Sequence, residues 1–207
     1  ITADGSVAGD VNLMLGLDGI GPSSVILQSK TEAANGLKFG GALTIDMQGA
    51  TVDTLKIANI QVAKNFTAQT GENVSTVDIS NLDGKGDFTL RTGSGADVIN
   101  IDNIRTRNLD IDTQSGADEL RIERNGLYTG RSQVLGIATI VTGIGADQIR
   151  IGNSSDSLNL LVDFSGAVTI DAGDGENMSN NIVASNSFKS APTIMASGGT
   201  LTQTEAS

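Results

Sequence analysis

Residues 88–101 read FTLRTGSGADVINI, residues 109–122 read LDIDTQSGADELRI, and residues 139–151 read TIVTGIGADQIRI. Each stretch is a short β-type run, a Gly-rich turn ending in Ala-Asp, and a second β-type run. One inward position of each first run serves as an anchor: Leu90, Ile111 and Ile140. The second runs supply Ile101, Ile122 and Ile151. The pattern continues outward. LTIDMQG from Leu43, FTAQTG from Phe66 and VTIDAGDG from Val168 add Ile45, Ala68 and Ile170, while Ile57 and Ile79 extend the second series. First anchor to second anchor spans 12, 11, 11, 11 and 11 residues, and the returns span 11, 11, 10, 18 and 19.

A spacing held this closely over five copies is the signature of a repeat architecture. Strands this short do not fold alone. Stacked in parallel, each pairs with the coil above and below at about 4.8 Å, and alternation sends every second side chain inward. Like residues then form vertical files, and each coil buries its apolar face only against its neighbours. An antiparallel sandwich would instead show hairpin signals between strands and gives no reason for a constant 11. Gly, Thr, Asn and Val in every periodic stretch argue against helix. The expected fold is therefore all-β: a single right-handed parallel β-helix, a solenoid of about seven coils, over residues 1–202 with a polar C-terminal tail at 203–207. Leu13 and Ile26 are expected to anchor an earlier coil, and Ile194 a last rung. The long returns contain runs at 132–137 and 158–164, expected to form a third face that the short coils lack or keep only as a vestige.

The composition agrees. The 207 residues include 26 Gly, 2 Pro and one Tyr, with no Cys, Trp or His, so the core must be Ile, Leu, Val and Ala. Without His or Cys the usual acid–base group and thiolate metal sites are missing. The net charge of −11 repels nucleic acid and anionic membrane and leaves cations open as partners. No apolar run is long enough to span a membrane, so no membrane insertion is expected. The chain opens on Ile1 with no signal peptide and is read as an excised part of a longer protein. Acidic, Gly-rich and Asn-rich chains without Cys are common among secreted and surface proteins of bacteria, the expected location.

Two polar columns accompany the turns. Ser75, Asp97, Asp118, Asp147 and Asn177 follow the turn glycines and are able to accept nearby backbone N–H groups. Asn73 stands at a glycine position and is expected there because Asn tolerates the left-handed region. After the second run come Asn59, Asn81, Asn103, Arg124 and Asn153. Stacked Asn side chains are expected to hydrogen-bond along the axis, with Arg124 breaking the ladder where the first long return begins.

The Gly-x-Gly-x-Asp turns at 93–97 and 143–147 resemble those of RTX-type calcium-binding proteins. That family has nine-residue repeats with calcium between successive turns; here there is one such turn per coil, and Thr92 or Thr142 replaces the leading Gly. The Asn column is similar to that of parallel β-helix proteins. The chain as a whole resembles the irregular parallel β-helices, among them adhesin and autotransporter passengers, phage tailspikes and polysaccharide lyases or hydrolases. A likeness of fold carries function only weakly.

Calcium is the one metal expected, at Asp97, Asp118 and Asp147, because a row of like charges at strand spacing calls for solvent or a hard cation. The alternative is that each Asp caps its own turn in solvent. A second set of acids, Asp46, Asp78, Asp102, Asp110, Asp112, Glu119 and Glu123, lies on strands or near their ends, with Arg121 and Arg150 at equivalent positions. Paired acids of this kind serve sugar hydrolases, but an ordinary charged face with cross-strand ion pairs accounts for them too. The scarcity of aromatic rings counts against sugar stacking, and Tyr128 marks the first long return as the place to seek a groove. Arg105, Arg107, Arg121, Arg124 and Arg131 form a basic cluster, a partner patch or a balance for nearby acids. No catalytic residue is assigned. The expected function is a structural or binding segment of a secreted or cell-surface protein, stalk-like or adhesin-like. Calcium stabilises it, and its partner is polysaccharide or another surface protein. The alternative is a fragment of a polysaccharide lyase or glycoside hydrolase.

Overall fold

Leu43–Asp46, Phe66–Gln69, Phe88–Arg91 and Leu109–Asp112 each alternate a buried residue with a half-buried one. Four residues of this kind expose backbone groups on both edges, which are satisfied only by the same segment of the next repeat. The computed structural model describes residues 4–15, 21–31, 36–47, 51–123, 130–152, 161–175, 180–183, 187–197 and 201–204, and every strand pairing among them is parallel. An eight-stranded sheet runs in chain order from Val11–Met14 through the four strands above to Ala138–Val141, Val168–Asp174 and Thr193–Ser197.

A thirteen-stranded sheet lies alongside. Its backbone is three long strands, Asp53–Val62, Ser75–Gly84 and Val98–Thr106, continued by Glu119–Ile122, Gln148–Ile151, Asn180–Val183 and Leu201–Thr204. Ser132–Val134 pairs with the far end of Val98–Thr106, then with Val162–Phe164, which pairs with Ser187–Phe188. Inward residues of both sheets form one core. Among the described residues there is no helix.

The anchors stack as the spacing predicts. Leu13 pairs with Ile45, and the file continues through Ala68, Leu90, Ile111, Ile140, Ile170 and Ile194. Ile57, Ile79, Ile101, Ile122 and Ile151 form the second file and end on Ile182. The residues from Ile45 to Ile170 are fully buried, and each large aliphatic side chain so buried stabilises the stack by about 2 kcal/mol. Phe66 and Phe88 sit in register with ring centroids 5.1 Å apart.

Three expectations need correction. Ile26 is not an anchor: it lies opposite Lys56 and is 44% exposed, while Leu27 stacks on Ile57. Val25, Ile26 and Leu27 are all apolar, so alternation alone does not fix which of them points inward. The third row of strands is also present in the short coils. Each long strand bends at an asparagine and carries on, so Ile60, Leu82 and Ile104 form a further buried file. The long coils reach the same row after a loop. Finally, pairing extends to Thr204, past the start of the stretch read as a tail.

The turns are as tightly stacked as the strands. Ser115 bridges to Ile144, and Ile144 to Asp174. A Cβ added at Gly145 would fall 1.4 Å from the carbonyl oxygen of Gly116 in the coil below, and one at Gly143 1.4 Å from that of Gln114. Asn73, in the same column as Gly145, is not left-handed; at Gly95 and Gly145 what the stack requires is absence of bulk. Gly145→Ala is therefore expected to destabilise the protein by about 3 kcal/mol or more through forced separation of two coils. Ala117→Ser, at an exposed neighbour, should be nearly neutral. Urea denaturation of the two variants checks the difference.

Candidate functional site

Four of the turns begin on a Thr and end on an acid or Ser five residues later, and both ends point inward. Thr70, Thr92, Thr113 and Thr142 are buried, as are Ser75, Asp97, Asp118 and Asp147. Asp53, which aligns with Ser75, belongs to the same column. The sequence obscures it because the turn before Asp53 has one residue more, the single 12 among the 11s.

The column is a ladder of carboxylates that cap the neighbouring coil. The amide of Ser75 donates to Asp97 Oδ1 at 2.7 Å, that of Asp97 to Asp118 Oδ1 at 2.9 Å, and that of Asp118 to Asp147 Oδ1 at 2.9 Å. Asp53 reaches the other way and accepts the amide of Gly71 at 2.5 Å. The expectation that each Asp closes its own turn in solvent is thus corrected on both counts: the side chains are buried, and they cap across coils. Thr113 adds a hydroxyl donor to Asp118 Oδ2 at 2.6 Å. At Asp97 the corresponding approach of Thr92 is looser, and neither Thr92 Oγ1 nor Asp97 Oδ2 reaches hydrogen-bond geometry. Ser75 donates to Thr70 instead, at 2.8 Å, which places a neutral rung between Asp53 and Asp97.

Burial dominates the protonation of these groups. It raises the carboxyls of Asp97 and Asp118 to about 6, against the amides of Ser75 and Asp97 and the Thr113 hydroxyl, whose hydrogen bonds pull the other way. Asp53 and Asp147 are raised by the same cause. A second buried acid, Glu123, is raised to about 7 by burial. It accepts the Asn103 amide at 2.5 Å and the Ser132 hydroxyl at 2.5 Å. Placed on an outer face by sequence pattern, Glu123 is instead interior, because the long return brings Ser132 back against it.

The asparagine column forms as expected for its first three members. Asn81 donates to Asn59 at 2.8 Å and Asn103 to Asn81 at 3.0 Å, all three in the left-handed region at φ 58, 49 and 50. Glu123 takes that conformation next, at φ 55, one residue earlier in its coil. Arg124, Tyr128, Asn153 and Asn177 lie outside the described residues.

The remaining acids considered for catalysis do not converge. Arg91 pairs with Asp110 at 2.5 Å and Asp112 at 3.7 Å. Arg121 and Arg150 are in register and share Glu119, with Arg150 at 2.7 Å. Asp78 accepts from Asn100 at 2.8 Å. Asp46 stands opposite Gln69 in the eight-stranded sheet, and Asp102 opposite Ser80 in the other. Arg107 holds the Asp87 carboxyl below the usual range. Among the described residues no group of three or more His, Cys, Asp or Glu could hold a metal ion, and no helix is long and apolar enough to cross a membrane. The chain matches no protein-family model, no curated protein and no solved structure.

The ladder has a defined pH signature. Acids whose folded pKa lies above the unfolded value bind protons more tightly in the native state, so stability rises as pH falls toward the unfolded pKa. Between pH 7.5 and pH 4.5 the melting temperature should climb by about 5 °C or more, reversing below about pH 4, where Asp87 takes up a proton in the unfolded chain before it does in the folded one. Differential scanning calorimetry against pH reads this, and a melting temperature that falls from pH 7.5 to 4.5 refutes the buried ladder. Asp118→Asn keeps the acceptor for the Asp97 amide and should flatten the pH slope. Asp118→Ala strands that amide and should cost about 1–3 kcal/mol.

Proposed function

We propose that the chain is a non-enzymatic structural or binding segment of a secreted or cell-surface protein, folded as a single right-handed parallel β-helix of about seven coils. The observation that carries this reading is the unbroken parallel register of like residues, with both sheets sharing one core and the inward acids spent on capping the backbone. Such a stack is stiff along its axis, because each coil is held only by its neighbours and every neighbour is held alike. Its outer faces carry paired charges such as Arg107–Asp87 and Arg121–Glu119, which tolerate replacement and suit display.

Calcium at Asp97, Asp118 and Asp147 is a separate proposal. The ion-free ladder is the account we favour, because a calcium ion takes six to eight oxygens, and each of these carboxylates already accepts an amide from the preceding coil. A rise in melting temperature with millimolar calcium that Asp118→Asn abolishes would establish the ion instead.

Two measurements test the main reading. Excision of residues 88–108 removes one whole coil and lets Leu109 take the place of Phe88, so a cooperative melt should survive. Excision of residues 88–98 breaks the register of every later strand and should abolish it. If both deletions unfold the protein equally, the single-solenoid reading is lost. Incubation with polygalacturonate and alginate from pH 5 to 9 should yield no new reducing ends, and steady cleavage would make the protein an enzyme.

A further inference from the structure

One outward file of the thirteen-stranded sheet runs over six strands through Ser6, Lys38, Gln61, Asp83, Arg105 and Gln133 and over two more to Asp163 and Ser187, each in register with the next. Two hollows lie along it, one of about 410 Å³ on the Ser6 side and one of about 390 Å³ on the Gln133 side. Both are lined by Asp83 and Lys85, so they form one furrow along the stacking axis, divided only by that ion pair. At about 4.8 Å per strand the file from Ser6 to Gln133 is roughly 24 Å long.

The furrow reverses the charge of the molecule. Among the described residues Lys38, Lys85, Arg105 and Arg131 line it with one carboxylate, Asp83, and a second, Asp163, stands at its end beside Gln133, in a chain whose net charge is −11. The cations are unequally used. Lys85 takes both oxygens of Asp83, at 2.8 and 2.7 Å, and Arg131 pairs with Asp163 at 3.2 Å. The Arg105 side chain has only the already occupied Asp83, at 3.7 Å, and makes no hydrogen bond among the described residues. Lys38, Gln61 and Gln133 likewise have no side-chain partner among the described residues. Unused donors therefore recur along the file, amide beside cation, on either side of the central pair.

We infer that this furrow binds an extended carboxylated glycan laid along the stacking axis, with a carboxylate on Arg105 and sugar hydroxyls on Gln61 and Gln133. The inference rests on the reading of the chain as a binding surface and names what that surface holds. A guanidinium with free donors matches a carboxylate in two-point geometry, and primary amides both donate to and accept from hydroxyls. The furrow runs across the strands, whose backbone groups are already paired, so a peptide has no open edge to extend. Among the described residues its one aromatic ring, Phe39, is buried, so stacking of a nucleobase or a sugar ring has no platform there and recognition rests on charge and hydrogen bonds. The dense charge of nucleic acid also meets the acidic remainder of the chain.

The test is isothermal titration of the full chain with a short oligogalacturonide, beside a neutral cello-oligosaccharide, a heparin fragment, single-stranded DNA and polyglutamate. The oligogalacturonide should bind, more weakly as salt rises, and the neutral sugar should not. Arg105→Gln should weaken binding about tenfold or more, the loss of one charge-assisted pair. Lys56→Gln, on an exposed position elsewhere, should change it less than about twofold. No binding by the unaltered protein, equal losses in the two variants, or tighter binding of heparin, DNA or polyglutamate would overturn the inference. Failure to bind with the cooperative melt intact removes the glycan and leaves the structural reading standing. Cleavage of a bound oligogalacturonide removes the non-enzymatic reading and leaves the furrow.

Discussion

The stack depends on the close approach of one coil's turn to the next. Where Gly145 lies over Gly116, and Gly143 over Gln114, no side chain fits between the two backbones. That proximity makes the turns part of the hydrogen-bonded structure: the amide of Gly116 donates to Ile144, and that of Gly145 to Asp174. A coil in this arrangement cannot slip by one residue. Slippage would drive a side chain into a carbonyl at the turn and rotate every strand side chain to the other face. The turn thus sets the register, and the register sets the core.

The same closeness creates the buried ladder. From Asp97 onward strand pairing begins at the residue after the column, as Val98 pairs with Glu119 and Glu119 with Gln148. At the column itself an amide points toward the next coil, and the carboxylate of that coil supplies its acceptor. A buried amide without a partner is unfavourable by about 1–3 kcal/mol, and a carboxylate removed from water is unfavourable as well. The two groups offset each other, and the remaining mismatch appears as carboxyls raised to about 6. Ser75 between Asp53 and Asp97, and the hydroxyl of Thr113 beside Asp118, ease the repulsion of like charges along the file.

The sequence makes legible whatever repeats at fixed length. Ile45 through Ile170 and Ile57 through Ile151 are separated by near-constant intervals, and the stacking follows them residue by residue. Asn59, Asn81 and Asn103 are legible for the same reason. What escapes is anything that depends on depth or on an insertion. Asp53 is displaced by one extra residue. Glu123 looks like any other strand-end acid until the long return carries Ser132 onto it. The interior position of Asp97, Asp118 and Asp147 escapes because Asp after Gly is so often a solvent-facing turn residue; only the Thr five residues earlier, also turned inward, marks these turns as different.

Inside and outside therefore answer to different constraints. Each inward position is committed three times over, to the residue above, to the residue below and to the opposite sheet. An outward position has only its two vertical neighbours, and they accept many substitutions, as the file Lys38, Gln61, Asp83, Arg105 and Gln133 illustrates by holding four kinds of side chain at five positions in one register. A stack of this kind places chemically distinct groups at fixed intervals along a straight line without disturbing the core that fixes those intervals. Such a face is one-dimensional: its side chains recur along the axis at the strand interval of about 4.8 Å.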